Sequence, residues 1–168
     1  MNEAKLKFDI QIIKHLTSIY EEIRWLSKRP NVTSARARAW YTHIMAESIK
    51  KEIRRFSGQV SEMAITNFDG ELRLEHYKRI QTTLTGLFDK HHLENLNAPE
   101  EFIKVILDCE QVHIVTRAEN YAAMRAKGDY KKAGINLKMW DEISLEARHV
   151  LWQRMLRSKV ANASQFRV

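Results

Sequence analysis

Through the first quarter of the chain, apolar residues return every three or four positions. Over residues 3–28, Leu6, Ile10, Ile13, Leu16, Tyr20, Ile23 and Leu26 form one stripe, as a single amphipathic helix of about seven turns requires. Pro30 ends it, because proline lacks the N–H a helix interior needs. Thr33 or Ser34 can cap a second helix. Its stripe is Tyr41, Ile44, Met45, Ile49, Ile53 and Phe56, with Gly58 as the break. The short NVTS link then predicts a long antiparallel helical hairpin over residues 1–58.

The middle of the chain carries two competing periods. Asp69–Gly70 is a favoured two-residue hairpin turn, flanked by MAITNF and ELRLEH as strands. Leu74, Tyr77, Gln81, Leu84 and Phe88 also fit a helix from about Gly70 to His91; the helical period fits slightly better. Asn97, Pro99 and Glu100 open another helix, which runs to about Cys109. QVHIVT, residues 111–116, is β-branched and short, and reads as a strand. Thr116 with Glu119 forms a capping box for a helix ending at Gly128. GDYKKAGINLKMW reads as a loop with a short extended piece, and Ser144 caps a last helix bearing Leu145, Trp152, Leu156 and Val160. The fold class expected is mostly α with a minor β part. The hairpin is followed by a mixed central unit with one or two short β-strands and a C-terminal helix, and residues 59–168 pack with the hairpin as one globular domain.

Composition narrows the functional classes. The single cysteine, Cys109, excludes an intrachain disulfide and points to a reducing, cytoplasmic setting. The first helix carries Glu3, Asp9 and Lys14 within its apolar pattern, so neither a signal peptide nor a membrane span is expected. Net charge is +7, unevenly placed. Residues 1–58 hold twelve Lys/Arg against six acids, residues 59–110 five against ten, and residues 111–168 eleven against five. Two basic flanks around an acidic middle suit a phosphate-bearing partner, DNA more than RNA, on one surface. Arg36, Arg38, Lys50, Lys51, Arg54 and Arg55 supply one set of cations, Lys131 and Lys132 a second, Arg154 and Arg157 a third. Trp40 lies among the first set, where an indole can stack on a base.

Glu75–His76, followed later by a strand and by Asn120, is the one constellation suited to phosphodiester chemistry. A histidine can deprotonate the attacking water while oxygen ligands hold one divalent cation beside the leaving oxygen. The order LRLEH … HIVTRAEN over roughly residues 68–127 resembles the HNH endonuclease superfamily, in its variants that end in Asn. The resemblance implies Glu75 as metal-binding acid, His76 as general base, Asn120 as closing ligand and Mg²⁺ as the ion. Glu75 stands where the family usually has Asp, and the intervening Asn is Asn95 or Asn97. A helix-forming stretch separates His76 from Asn120, longer than a compact ββα unit.

Two lesser patterns remain. Arg38 and His43 in RAWYTH show the R-x₄-H spacing of the HEPN ribonucleases, which the resemblance would make metal-independent RNA cleavage. Cys109 and His113, with His91–His92 upstream, look like part of a zinc site but lack a second tight pair. The leading expectation is a small basic nucleic-acid-binding protein with an HNH-like core, active or degenerate. The alternative is a helical protein–protein module, an inhibitor or adaptor, whose long helices engage a partner groove.

Overall fold

The computed structural model describes residues 3–168, with side chains from Asp9 onward; Leu6 of the expected stripe lies outside those side chains. In chain order the elements are α1 (Glu3–Ser27), α2 (Ser34–His43), α3 (Lys50–Ile53), β1 (Arg55–Ser61), α4 (Glu62–Thr66), β2 (Leu72–His76), α5 (Ile80–Leu93), α6 (Pro99–Cys109), β3 (Gln111–Thr116), α7 (Arg117–Arg125), α8 (Tyr130–Ala133), β4 (Leu137–Met139) and α9 (Leu145–Leu151). The chain is mostly α with a small mixed sheet, as the pattern predicts. It divides into two units: a helical one up to Ile53 plus Ile80–Cys109, and a sheet-bearing one of Arg54–Arg79 plus Glu110–Val168.

In the helical unit, Thr33 caps α2 by accepting from the Arg36 N–H at 3.2 Å. Its core joins Leu16, Tyr20 and Ile23 of α1 to Tyr41 of α2, Leu84 and Phe88 of α5, and Phe102 and Ile106 of α6. Phe102 is the hub. Its ring stands 5.4 Å from Tyr20, 5.9 Å from Tyr41 and 6.0 Å from Phe88, distances at which aromatic pairs attract beyond their area burial. Beside this core, the Tyr20 hydroxyl lies 2.8 Å from His91 Nδ1, and His91 Nε2 lies 2.9 Å from Glu101. That buried tyrosine therefore keeps its polar end satisfied.

The second helix is shorter than its stripe suggests. It ends at His43, and after a 3₁₀ turn (Met45–Ser48) and the single turn of α3 the chain becomes strand β1. Ile49, Ile53 and Phe56 have helical spacing, but Phe56 and Val60 also alternate, and pairing of β1 with β3 decides in favour of the strand. Gly58 lies inside β1 at φ +85°, in a register shift between Phe56 and Val60 that marks a bulge. It therefore bends a strand instead of ending a helix.

The sheet runs β2-β3-β1-β4. β1 and β3 are parallel, and the outer pairs are antiparallel. Leu72–His76 is thus a strand, in continuous register with β3 from Leu72↔Thr116 to His76↔Val112. The helix carrying Leu84 and Phe88 starts only at Ile80. The Asp69–Gly70 turn makes no hairpin, because the segment before it is the short helix α4 and β2 pairs elsewhere. One face of the sheet, with Phe56, Val60, Leu72, Val112 and Ile114, packs on Trp140, Ile143, Leu151 and Leu156. Ser144 caps α9 as expected, and that helix closes in a π turn, Trp152–Leu156. No described helix is long and apolar enough to cross a membrane.

A buried amide secures β1 from the side away from β3. Asn162 accepts from the Phe56 N–H and donates to the Phe56 carbonyl, both at 2.9 Å. Asn162→Ala strands both backbone groups in a buried position, which should lower stability by roughly 2–4 kcal/mol. The check is urea unfolding, where the midpoint should fall with little change in slope.

Candidate functional site

Neighbouring residues on a strand project to opposite faces, and this divides the expected catalytic pair. His76 pairs with Val112, whereas Glu75 pairs with His113 on the reverse face. Asn120 lies in α7, which follows β3 directly and packs against both β2 and β3. The expected metal-binding acid and the expected base thus lie on opposite faces of the sheet. Among the described residues, no group of three or more His, Cys, Asp or Glu side chains gathers to hold a metal. Glu75 and Asn120 offer hard oxygen donors of the kind Mg²⁺ takes. The resemblance gives His76 the role of base and not of ligand, and that ring lies on the face opposite Glu75.

His76 has a different partner. Its Nε2 lies 3.3 Å from Glu110 Oε2 and 3.3 Å from Arg54 Nη2, and Arg54 Nε donates to the same carboxylate oxygen at 2.9 Å. Glu110 is buried. Burial alone would push its carboxyl up, but His76 and Arg54 together hold it below the usual carboxylate range. A carboxylate of this kind fixes the ring orientation of a histidine. Pattern reading missed Glu110 because it sits in a helix-to-strand joint with no motif around it. Arg54, expected as a phosphate contact, is committed to this carboxylate.

On the reverse face, β1, β2 and β3 set Ser57, Glu75 and His113 side by side, with α8 supplying Tyr130. Ser57 Oγ lies 2.6 Å from His113 Nδ1, and the rings of Tyr77 and Tyr130 each stand edge-on to the imidazole with centroids 5.6 Å away. His113 Nε2 is buried without a hydrogen-bond partner among the described residues. An orphaned N–H costs more than an orphaned lone pair, which favours the tautomer donating from Nδ1 to Ser57. Burial pushes the His113 pKa down to about 4 and the Glu75 carboxyl up, the latter partly offset by His76 and Arg79. Burial thus disfavours the charged form of both groups. Glu119, also buried, accepts from the Ser61 and Thr116 hydroxyls and the Thr116 N–H, completing the expected capping box.

The other basic residues fall into two groups. Lys50 pairs with Glu47 and Lys132 with Asp129, Arg38 bonds Thr42, and Arg157 bonds Gln153. Arg154 donates to the Phe68 and Gly70 carbonyls and so braces the turn before β2. Arg36, Lys51, Arg55 and Lys131 are exposed, and their side chains have no hydrogen bond or ion pair among the described residues. His43, of the R-x₄-H pattern, is exposed at the end of α2. His91 is taken by Tyr20 and Glu101, which removes it from any zinc set.

In the helical unit, α1, the 28–33 link and α2 enclose a groove of about 510 Å³. Trp25, Arg29, Arg36 and Trp40 line it, with Glu22 beside them. Sequence reading singled out Trp40 and passed over Trp25, which lies off the apolar stripe of α1.

Division of the chain also redistributes its charge. The sheet-bearing unit holds sixteen Lys/Arg against ten acids, a net +6, and the helical unit twelve against eleven, a net +1. Comparison with protein-family models, with curated proteins and with solved structures finds no match.

The His113 cluster has a measurable signature. With a folded-state pKa near 4 against about 6.5 when unfolded, the unfolded chain takes up the proton first. The stability associated with neutral His113 is complete above about pH 6.5 and is lost as pH falls towards 4, by up to roughly 3 kcal/mol over that window. The dependence of unfolding free energy on pH between 6.5 and 4 should flatten in His113→Phe. An equal slope in both proteins would show that this imidazole titrates normally.

Proposed function

We propose that this is a nucleic-acid-binding protein whose sheet-bearing unit is an HNH-like ββα scaffold that contacts duplex DNA through its phosphates. The arrangement of β2, β3 and α7 carries the reading. Two antiparallel strands are followed at once by a helix packed on both, and most of the long stretch between the strands is given over to the helical unit. The net charge of +6 on this unit supports the same conclusion, since a phosphate surface attracts cations over a distance of several ångströms. Arg55 and Lys131, exposed and without a side-chain partner among the described residues, are available to phosphate. Binding, rather than cleavage, is the function proposed, because His76 faces away from Glu75 and is held by Glu110 and Arg54.

Binding should be steeply salt-dependent, weakening by roughly 10³-fold or more between 50 and 200 mM salt if several phosphates are contacted. Arg55→Ala and Lys131→Ala should each weaken duplex binding irrespective of sequence and reduce the salt slope by about one. Absence of binding at 50 mM salt would instead favour the protein–protein module. Mg²⁺-dependent nicking that disappears in His76→Ala would convert the scaffold into an active nuclease.

A further inference from the structure

Two indoles stand in water in the helical unit. Trp25 is 65% exposed and Trp40 47%, and neither belongs to the core built around Phe102. An aromatic side chain carries 150–250 Å² of mostly apolar surface, so two of them lining one groove form a patch that a soluble surface rarely leaves uncovered. Cations flank the patch. The Arg29 guanidinium lies 5.2 Å from the centre of the Trp25 ring, and Arg36, exposed and uncommitted, lines the same groove near Trp40.

We propose that this groove binds single-stranded nucleic acid, with Trp25 and Trp40 stacking unpaired bases and Arg29 and Arg36 holding the phosphates between them. The shape of the apolar surface selects the ligand. Leu26, Val32 and Met45 in the lining are half-buried, whereas both indoles are exposed, so the groove offers flat π faces to a ligand. Charge selects the same ligand. Guanidiniums beside indoles match a polymer alternating planar rings with anions, and a base can continue the stack that Arg29 already makes on Trp25. Glu22, the carboxylate in the lining, repels phosphate and so marks the end of the groove that the backbone avoids. A duplex offers no free base faces, so this site differs in ligand from the ββα scaffold. It draws on the nucleic-acid reading only for the polymer's identity.

Both tryptophans lie outside the core, so their replacement should leave folding intact. The experiment measures binding of the full chain to four fluorescent probes at 50 mM salt: a 12-nucleotide oligo-dT, the matching oligo-U, a 12-base-pair duplex and an oligo-glutamate peptide. Trp25→Ala and Trp40→Ala should each weaken binding of the single strands about tenfold and leave duplex binding unchanged. Trp25→Phe and Trp40→Phe should recover part of the loss. Single-strand affinity unchanged in the double alanine variant would overturn the proposal even with duplex binding intact. Equal losses on single strand and duplex would do the same, as would tighter binding of oligo-glutamate, which would assign the groove to an acidic protein segment. Failure of every nucleic-acid probe at low salt would remove this site and the duplex reading together.

Discussion

Five consecutive residues of β3, Val112 to Thr116, are buried. A strand with no wet face needs a pairing partner on each edge and a cover on each side. The sheet-bearing unit meets those four needs with β1 and β2 at the edges, the Trp140–Leu156 segment on one face, and α7 and α8 on the other. Most of the remaining order of the unit follows from this. The bulge at Gly58 fits β1 to β3, and the Asn162 amide occupies the Phe56 backbone groups that β3 leaves free.

Because β3 is covered twice, its alternate residues have unlike surroundings. Val112 and Ile114 meet an ordinary apolar core, while His113 meets hydroxyls, phenols and a carboxyl whose ionisation burial opposes. The outcome for β2 is similar. Glu75 goes to the face where burial opposes its charge, and His76 goes to Glu110, a carboxyl that His76 and Arg54 hold below its usual range. Two residues adjacent in sequence thus occupy opposite electrostatic environments. An acid–histidine doublet in a sequence is accordingly weak evidence for a shared site when the backbone there is extended.

Hydroxyl caps were the most legible signals, whereas the Asp69–Gly70 turn and Gly58 serve other purposes than their local pattern suggests. The caps at Thr33, Thr116 and Ser144 stand at the expected positions, because a hydroxyl accepting from an N–H three residues on needs nothing from the rest of the chain. QVHIVT is a strand for similar reasons of side-chain shape. The failures lie where a distant partner decides. Phe56 and Leu74 each satisfy two periods at once, and only pairing with β3, more than thirty residues away in both cases, selects the extended one. The candidate site was legible residue by residue but not as a constellation. Glu75, His76 and Asn120 are real features of one unit, whereas Glu110 and Ser57, which organise the two histidines, carry no signal short of the fold itself.

The helical stretch between β2 and β3 has a consequence for how the chain is made. Thirty-four residues part His76 from Gln111, and the chain passes between the two units three times. Neither unit is a continuous segment, so during synthesis the helical one cannot close until Cys109 has emerged. β2 meanwhile waits without its strand partner. Closing a loop of this length costs only modest entropy, but an unpaired edge is a template for other chains. Early compaction of the intervening helices would shorten the search and protect the edge, making the order of folding, as much as final stability, a pressure on the sequence between Ile80 and Cys109.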